Sequence, residues 1–192
     1  MPGTEADACA PSVCDSSDLI LGFVNTRPTG DGQPELLDGR TGLADWLTRA
    51  GLADAAPSAT YADAVAAQEL RAAFVTILRS HAGCVDDETA VPDAEAYLQR
   101  IAERYPLTPR ISAEGCTLVA SQSGVPGAFG SLFAAVADLA ARGGWSRVKV
   151  CKNSSCHSGF FDKTRNTSGL YCSAACGSQA SMRAYRSRLR TG

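Results

Sequence analysis

No stretch of this 192-residue chain reads as an apolar run long enough to cross a membrane as a helix. The first residues carry neither a basic segment nor a continuous apolar core, so they do not read as a secretory leader. Together these absences set the expectation of a cytoplasmic protein with no membrane partner. Histidine is scarce: His81 and His157 are the two in the chain. There is no nucleophile–base signature and no phosphate-cradling glycine loop. The expectation is therefore that the chain is not an enzyme. No internal repeat is visible. Acidic residues are almost missing from one region. Residues 145–192 hold one of the twenty acids, Asp162, but nine of the eighteen Lys and Arg. The formal net charge of −2 thus averages an acidic first part and a strongly basic end. Such asymmetry suggests a polyanion partner for the basic end. The alternative is a solvated tail, or one docked on its own acidic domain.

What is present begins with cysteine. Of the eight in the chain, Cys151, Cys156, Cys172 and Cys176 fall as C-x4-C-x15-C-x3-C. In a reducing compartment, clustered cysteines point to metal rather than disulfides. Two close pairs of thiolates supply the tetrahedron that zinc prefers, so one structural zinc ion is expected. Iron–sulfur is the alternative and has no positive support. Four thiolates leave zinc no open position for water, a second reason against catalysis. Release of zinc on thiol oxidation would make a redox switch, although nothing in the spacing demands one. His157 and His81 read as ordinary histidines.

Ser173 and Ala174-Ala175 start a helix that places Cys172 and Cys176 on one face of its first turn. Asn166-Thr167-Ser168-Gly169 reads as the turn of a hairpin. Phe160 and Phe161 before it, with Leu170 and Tyr171 after it, would give the module a small core of its own. Knuckle, hairpin and helix make a treble-clef type of finger, too small to fold without its metal. Cys9 and Cys14 lie in a small-residue leader, and Cys84 and Cys116 read as buried or half-buried apolar residues.

The remainder reads as a mainly helical domain. Residues 1–17 are expected to be a flexible tail. Leu19 to Thr26 is a compact apolar segment, strand or helical turn. A short helix runs from about Thr41, as N-cap, to Ala50, with Gly51 ending it. A stronger one spans Tyr61 to about His81 and stops before Gly83. Another spans Asp93 to Arg104, preceded by Pro92. Leu107 to Val119 reads as a hairpin turning at Glu114-Gly115. Pro126 to about Arg142 is helical. Arg147 to Val150 alternates like a strand and runs straight into Cys151, so the linker is very short and favours packing of the two parts. The fold class is α+β: a mainly helical N-terminal domain over 18–146 with a short β-hairpin, then a treble-clef-like zinc finger over 147–192.

The helix beyond Cys176 has two faces at about 100° per residue. Met182, Tyr185 and Leu189 share one, and Arg183, Arg186 and Arg190 share another. With Lys152, Lys163, Arg165 and Arg188, these arginines are the candidate contacts to the phosphates of double-stranded DNA. In the N-terminal domain, Asn25 and Arg71 are polar residues inside apolar segments. They are either ligand contacts for a small-molecule effector or structural polar groups, with Arg71 paired to a carboxylate; the structural reading is the stronger.

The last third resembles the CGNR zinc-finger family of bacterial regulators. The matching residues are Cys151, Cys156, Phe160-Phe161-Asp162, Tyr171-Cys172-Ser173, Cys176-Gly177 and Tyr185-Arg186-Ser187-Arg188. The front resembles the ABATE domain that usually precedes this finger, through Phe23-Val24-Asn25-Thr26, Leu43-Ala44-Asp45-Trp46-Leu47, Ala50-Gly51-Leu52 and Glu69-Leu70-Arg71. The resemblance implies a stress-induced transcription regulator whose finger binds DNA, with the N-terminal domain as sensor or homodimerisation unit. The chain departs from the pattern at Ser178-Gln179, where the family has Asn-Arg, and at Ser181, where lysine is usual. Those departures remove two cationic positions at the helix start. They favour the alternative of a zinc-stabilised module that docks an acidic protein partner.

Overall fold

The computed structural model describes residues 13–28, 32–84 and 87–191. Residues 1–12 with Cys9, and the side chains of Cys14 and Arg190, lie outside this description. The flexible tail expected over 1–17 is corrected for residues 13–17, which belong to helix α1 (Val13–Val24). Ser16 and Ser17 are buried, and Ser16 Oγ donates to Asp138 Oδ2 at 2.8 Å. A small hydroxyl residue allows close approach of two helices and satisfies its own polarity, so a segment that looks tail-like can be core. The undecided segment from Leu19 is helical through Val24, with Ile20, Phe23 and Val24 in the core.

Helix α2 (Gly39–Arg49) buries Leu43, Trp46 and Leu47 as the periodicity predicts. Its N-cap is Asp38 rather than Thr41, which lies inside the first turn. It ends in a Schellman motif: Gly51, at φ +76°, donates to Thr48 O at 3.2 Å, and Leu52 N donates to Leu47 O at 2.8 Å. A 3₁₀ segment (Ala53–Ser58) leads to α3 (Tyr61–Ser80), the central helix. Thr60 and Asp63 form a reciprocal capping box, with Asp63 N to Thr60 Oγ1 at 3.1 Å and Thr60 N to Asp63 Oδ2 at 2.9 Å. Helix α4 (Ala90–Ala102) starts three residues before the expected Asp93. Pro92 sits in its first turn, where the missing N–H has no intrahelical partner to lose.

Strands β1 (Leu107–Ser112) and β2 (Gly115–Ala120) form the expected antiparallel hairpin. Ser112 pairs with Gly115, so the turn is Ala113-Glu114, one residue before the predicted Glu114-Gly115. Cys116 lies near that turn and is exposed, against expectation, whereas Cys84 is half-buried. Helix α5 (Gly124–Ala141) is long and apolar enough by length and composition to cross a membrane, a property its interspersed Gly, Ser131 and Asp138 conceal in sequence. In this fold it is a core helix: Val125, Phe129, Leu132 and Leu139 are buried.

The core clusters around aromatic contacts. Phe23 meets Trp46 at 5.0 Å and Phe74 at 6.2 Å, while Phe74 meets Trp145 at 6.4 Å. Each fully buried large side chain contributes about 1.5–3 kcal/mol. A 3₁₀ turn (Trp145–Arg147) then feeds β3 (Val148–Val150), which is buried throughout. It pairs antiparallel with β4 (Gly159–Phe161), Val148 opposite Phe161 and Val150 opposite Gly159. This corrects the predicted hairpin. The strand carrying Phe160 and Phe161 pairs back across the first cysteine pair and not forward to Leu170, which is exposed. Val148, Val150 and Phe161 join the main hydrophobic core, so the module leans on the N-terminal domain instead of keeping a separate core. Helix α6 (Ala174–Thr191) closes the chain.

Candidate metal centre and basic face

The four cysteines arrive on three pieces of backbone. Cys151 follows β3, Cys156 ends the knuckle, and Cys172 and Cys176 flank the start of α6. Cys176 sits in the first turn of α6, where its N–H donates to Ser173 Oγ at 3.2 Å, an N-cap contact. Cys172 lies just ahead of the helix rather than in its first turn. The knuckle needs a left-handed residue, supplied by His157 at φ +54°. The four sulfur atoms lie within 4.8 Å of one another. Cys172 Sγ is 3.6 Å from both Cys156 Sγ and Cys176 Sγ. Four Zn–S bonds of about 2.3 Å in a tetrahedron place sulfurs about 3.8 Å apart, so the spacing fits zinc.

The electrostatics agree. Burial pushes the Cys151 thiol up, and burial followed by contact with Cys156, Cys176 and Cys151 pushes Cys172 up strongly. Cys176 is pulled down to about 7 by Asn153 and by Ser173. Four sulfurs this close cannot all ionise side by side, and a divalent cation at their centre removes that penalty.

The loop between the two pairs is held by the lone acid of the basic end. Asp162 is buried and accepts from Lys149 Nζ at 2.8 Å, Thr164 N at 2.9 Å, Thr164 Oγ1 at 2.7 Å and Gly169 N at 2.7 Å. Burial by itself would raise its pKa, but these donors hold the carboxyl well below the usual carboxylate range. Lys149 Nζ also donates to the carbonyls of Thr167 and Gly169. Arg147 donates to the carbonyls of Asp162 and Thr164 at 3.0 and 2.7 Å. Two of the nine cations of the basic end therefore belong to the scaffold. Lys149 went unassigned in sequence, and Asp162 stood out there as the single acid of a basic stretch and within the Phe160-Phe161-Asp162 match, without a structural role.

The family model ABATE, described as "putative stress-induced transcription regulator", matches residues 17–142. The chain belongs to this family. A second model, the CGNR zinc finger, matches residues 147–189 and so spans all four cysteines. No curated protein matches the chain. With the sulfur geometry, the finger match identifies one structural zinc ion held by Cys151, Cys156, Cys172 and Cys176.

The departures from the CGNR pattern have a visible consequence. Gln179, at the family's arginine position, accepts from Asn153 Nδ2 at 3.0 Å. Asn153 is buried in the knuckle, and its Oδ1 accepts from Ser155 Oγ at 3.2 Å. Arg183, one turn further along α6, donates to Ser154 Oγ at 2.7 Å and Ser155 Oγ at 2.8 Å. Gln179 and Arg183 thus fasten α6 to the knuckle. Lys152, Lys163, Arg165, Arg183, Arg186 and Arg188 are exposed. Arg190 lies on α6. Met182, Tyr185 and Leu189, which share one face of the helix, are more than half exposed at 52 %, 53 % and 66 %.

Asn25 and Arg71 do not meet. Asn25 grips β4 across the domain boundary: Gly159 N donates to Asn25 Oδ1 at 2.7 Å, and Asn25 Nδ2 donates to Gly159 O at 3.2 Å. Arg71 forms a two-pronged bond to Glu35 at 2.6 and 2.5 Å and a third to Thr26 Oγ1 at 2.9 Å. Neither lines a groove of the ABATE domain of about 420 Å³ that is bordered by Ser16, Leu19, Leu118, Ala120, Ala135 and Asp138.

Proposed function

We propose that this protein is a DNA-binding transcription regulator. One observation carries the reading: a helix rooted on the zinc ligand Cys176 leaves the body of the molecule with Arg183, Arg186 and Arg188 exposed along it. The nearby Lys152, Lys163 and Arg165 are exposed as well, and the one acid of this region is buried against Lys149. A cationic surface without exposed acid suits a phosphate backbone. Asn153–Gln179 and the Arg183–serine bonds set the angle of the helix. The cations give affinity and salt dependence, while sequence preference would come from other contacts. The ABATE domain serves as sensor or dimerisation unit in this reading, and the groove between α1, β2 and α5 is where a small effector would sit.

The test is fluorescence anisotropy of a labelled duplex titrated with zinc-loaded protein over a salt series. Four to six phosphate contacts give a slope of log affinity against log salt of about −4 to −5. Absence of binding at low salt, with the zinc-loaded protein folded, would refute the reading. A second reading is favoured by the exposed Met182–Tyr185–Leu189 face. A basic helix with an apolar stripe also suits an acidic protein partner. Retention of one stoichiometric acidic protein, together with a flat DNA titration, would select it.

A further inference from the structure

The zinc finger is defined by residues 147–189, yet its knuckle is gripped by side chains from the ABATE domain. Immediately after α1, Asn25 bonds both polar groups of Gly159. Two residues further, the Arg27 guanidinium donates to the carbonyl of His157, the residue next to the zinc ligand Cys156. This segment is pre-set from its other side. Gln33 Nε2 donates to Asn25 O at 2.8 Å and to Arg27 O at 2.7 Å, and Leu36 N donates to Thr26 O at 2.9 Å. Gly159 is pressed so close to α1 that an added Cβ would meet Val24 Cγ2 at 2.7 Å. Arg27 is therefore held in place and not merely near the knuckle.

The charge of the site explains why a guanidinium stands there. A zinc ion bound by four thiolates carries net negative charge, and a neighbouring permanent cation lowers the cost of burying it. Arg27 is half-buried; that burial, then repulsion from Arg79 and Arg71, disfavours its charge, and the group that favours it is Cys156. Arginine suits the position because it stays ionised and spreads its donors in a planar fork.

We propose that Arg27 is an outer-shell partner of the zinc centre, so that the ABATE domain sets how tightly the finger holds its metal. Outer-shell partners of metal ligands typically change metal affinity by about 10- to 100-fold when removed. Zinc binding alone carries this inference, so it stands whether or not the protein binds DNA.

The experiment compares zinc release from the full-length zinc-loaded protein with that from Arg27→Gln, Arg27→Lys and Arg49→Ala, using a chromophoric chelator. Arg27→Gln retains an amide donor for the His157 carbonyl but removes the charge, whereas Arg27→Lys retains the charge. Arg49 is an exposed control on α2 whose Nε donates to Asp45 O. Arg27→Gln is expected to release zinc about tenfold faster than the unsubstituted protein, with Arg27→Lys and Arg49→Ala close to it. Equal release from Arg27→Gln and the unsubstituted protein would overturn the proposal. So would equally fast release from the Gln and Lys variants, because the charge would then be irrelevant. Far-UV circular dichroism before each titration confirms that the variants start folded.

Discussion

Replacing Asp162 by alanine should be the most damaging single change in the finger outside the four ligands. The substitution strips Lys149 of its carboxylate partner, although both side chains are almost wholly buried, at 2 % and 1 % exposure. It also leaves the Thr164 and Gly169 amides without their acceptor, and these amides shape the loop that returns the chain to Cys172. Removing one partner of a buried pair costs about 3–5 kcal/mol, chiefly because the other charge is stranded. In a chain of this size each kcal/mol lowers Tm by about 2–4 °C, so a fall of about 6–20 °C is expected. The assay is a thermal melt of zinc-loaded protein by circular dichroism at pH 7.5, where the carboxylate is fully ionised. A double substitution, Asp162→Ala with Lys149→Met, removes the stranded cation and should recover about half of the loss, the remainder belonging to the orphaned amides. A fall below about 3 °C for the single variant, or no recovery in the double, would show that the loop is not organised by this ion pair.

Three further outcomes are expected. Cys172→Ser should lower bound zinc from one ion per chain to well below half by elemental analysis, and chelation of the unsubstituted protein should give the same loss of finger structure. Gly159→Ala forces a methyl group into Val24 and Leu21, at 2.7 and 3.1 Å. That overpacking should cost about 1–3 kcal/mol and speed hydrogen exchange in β3 and β4, while zinc stays bound. Arg71→Met leaves Glu35 without its two-pronged partner and should destabilise the ABATE domain by about 3 kcal/mol in chemical denaturation. Equal stability of that variant would show that Arg71 is not a structural anchor.

The helices were legible because their apolar residues recur at helical spacing and their ends carry local signals. Leu43, Trp46 and Leu47 are buried as the pattern requires, and Gly51 terminates α2 with left-handed backbone. Boundaries slipped where the signal depended on rank among candidates. Asp38 and Thr41 both suit an N-cap, and Pro92 both precedes helices and fits inside a first turn. The cysteine spacing revealed the metal centre because chelation constrains residue type and separation together. What sequence could not show is what the module rests on. Val148, Val150, Phe160 and Phe161 are apolar whether they face their own small core or a neighbour's, and pairing between β3 and β4 is a matter of tertiary contact. The same holds for Asn25, Arg27 and Gln179. A polar residue's partner more than a hundred positions away, as for Asn25 and Gly159, leaves no local trace. Basic composition, too, concealed a division of labour, since Lys149 is interior while Lys152 is exposed.

Strand β3 is at once a wall of the ABATE-domain core and the first leg of the metal knuckle. His81 Nδ1–H donates to its Val148 carbonyl at 2.9 Å, and the same ring makes a T-shaped contact with Trp145. The two family matches are separated only by residues 143–146, so they invite a cut at the boundary, as between beads on a string. In three dimensions that cut removes a piece of masonry. A fragment ending at residue 146 would expose the surface that Val148 and Val150 cover, and a fragment beginning there would carry those valines into water. Transplanting this finger onto another protein would therefore require carrying its seat along with it.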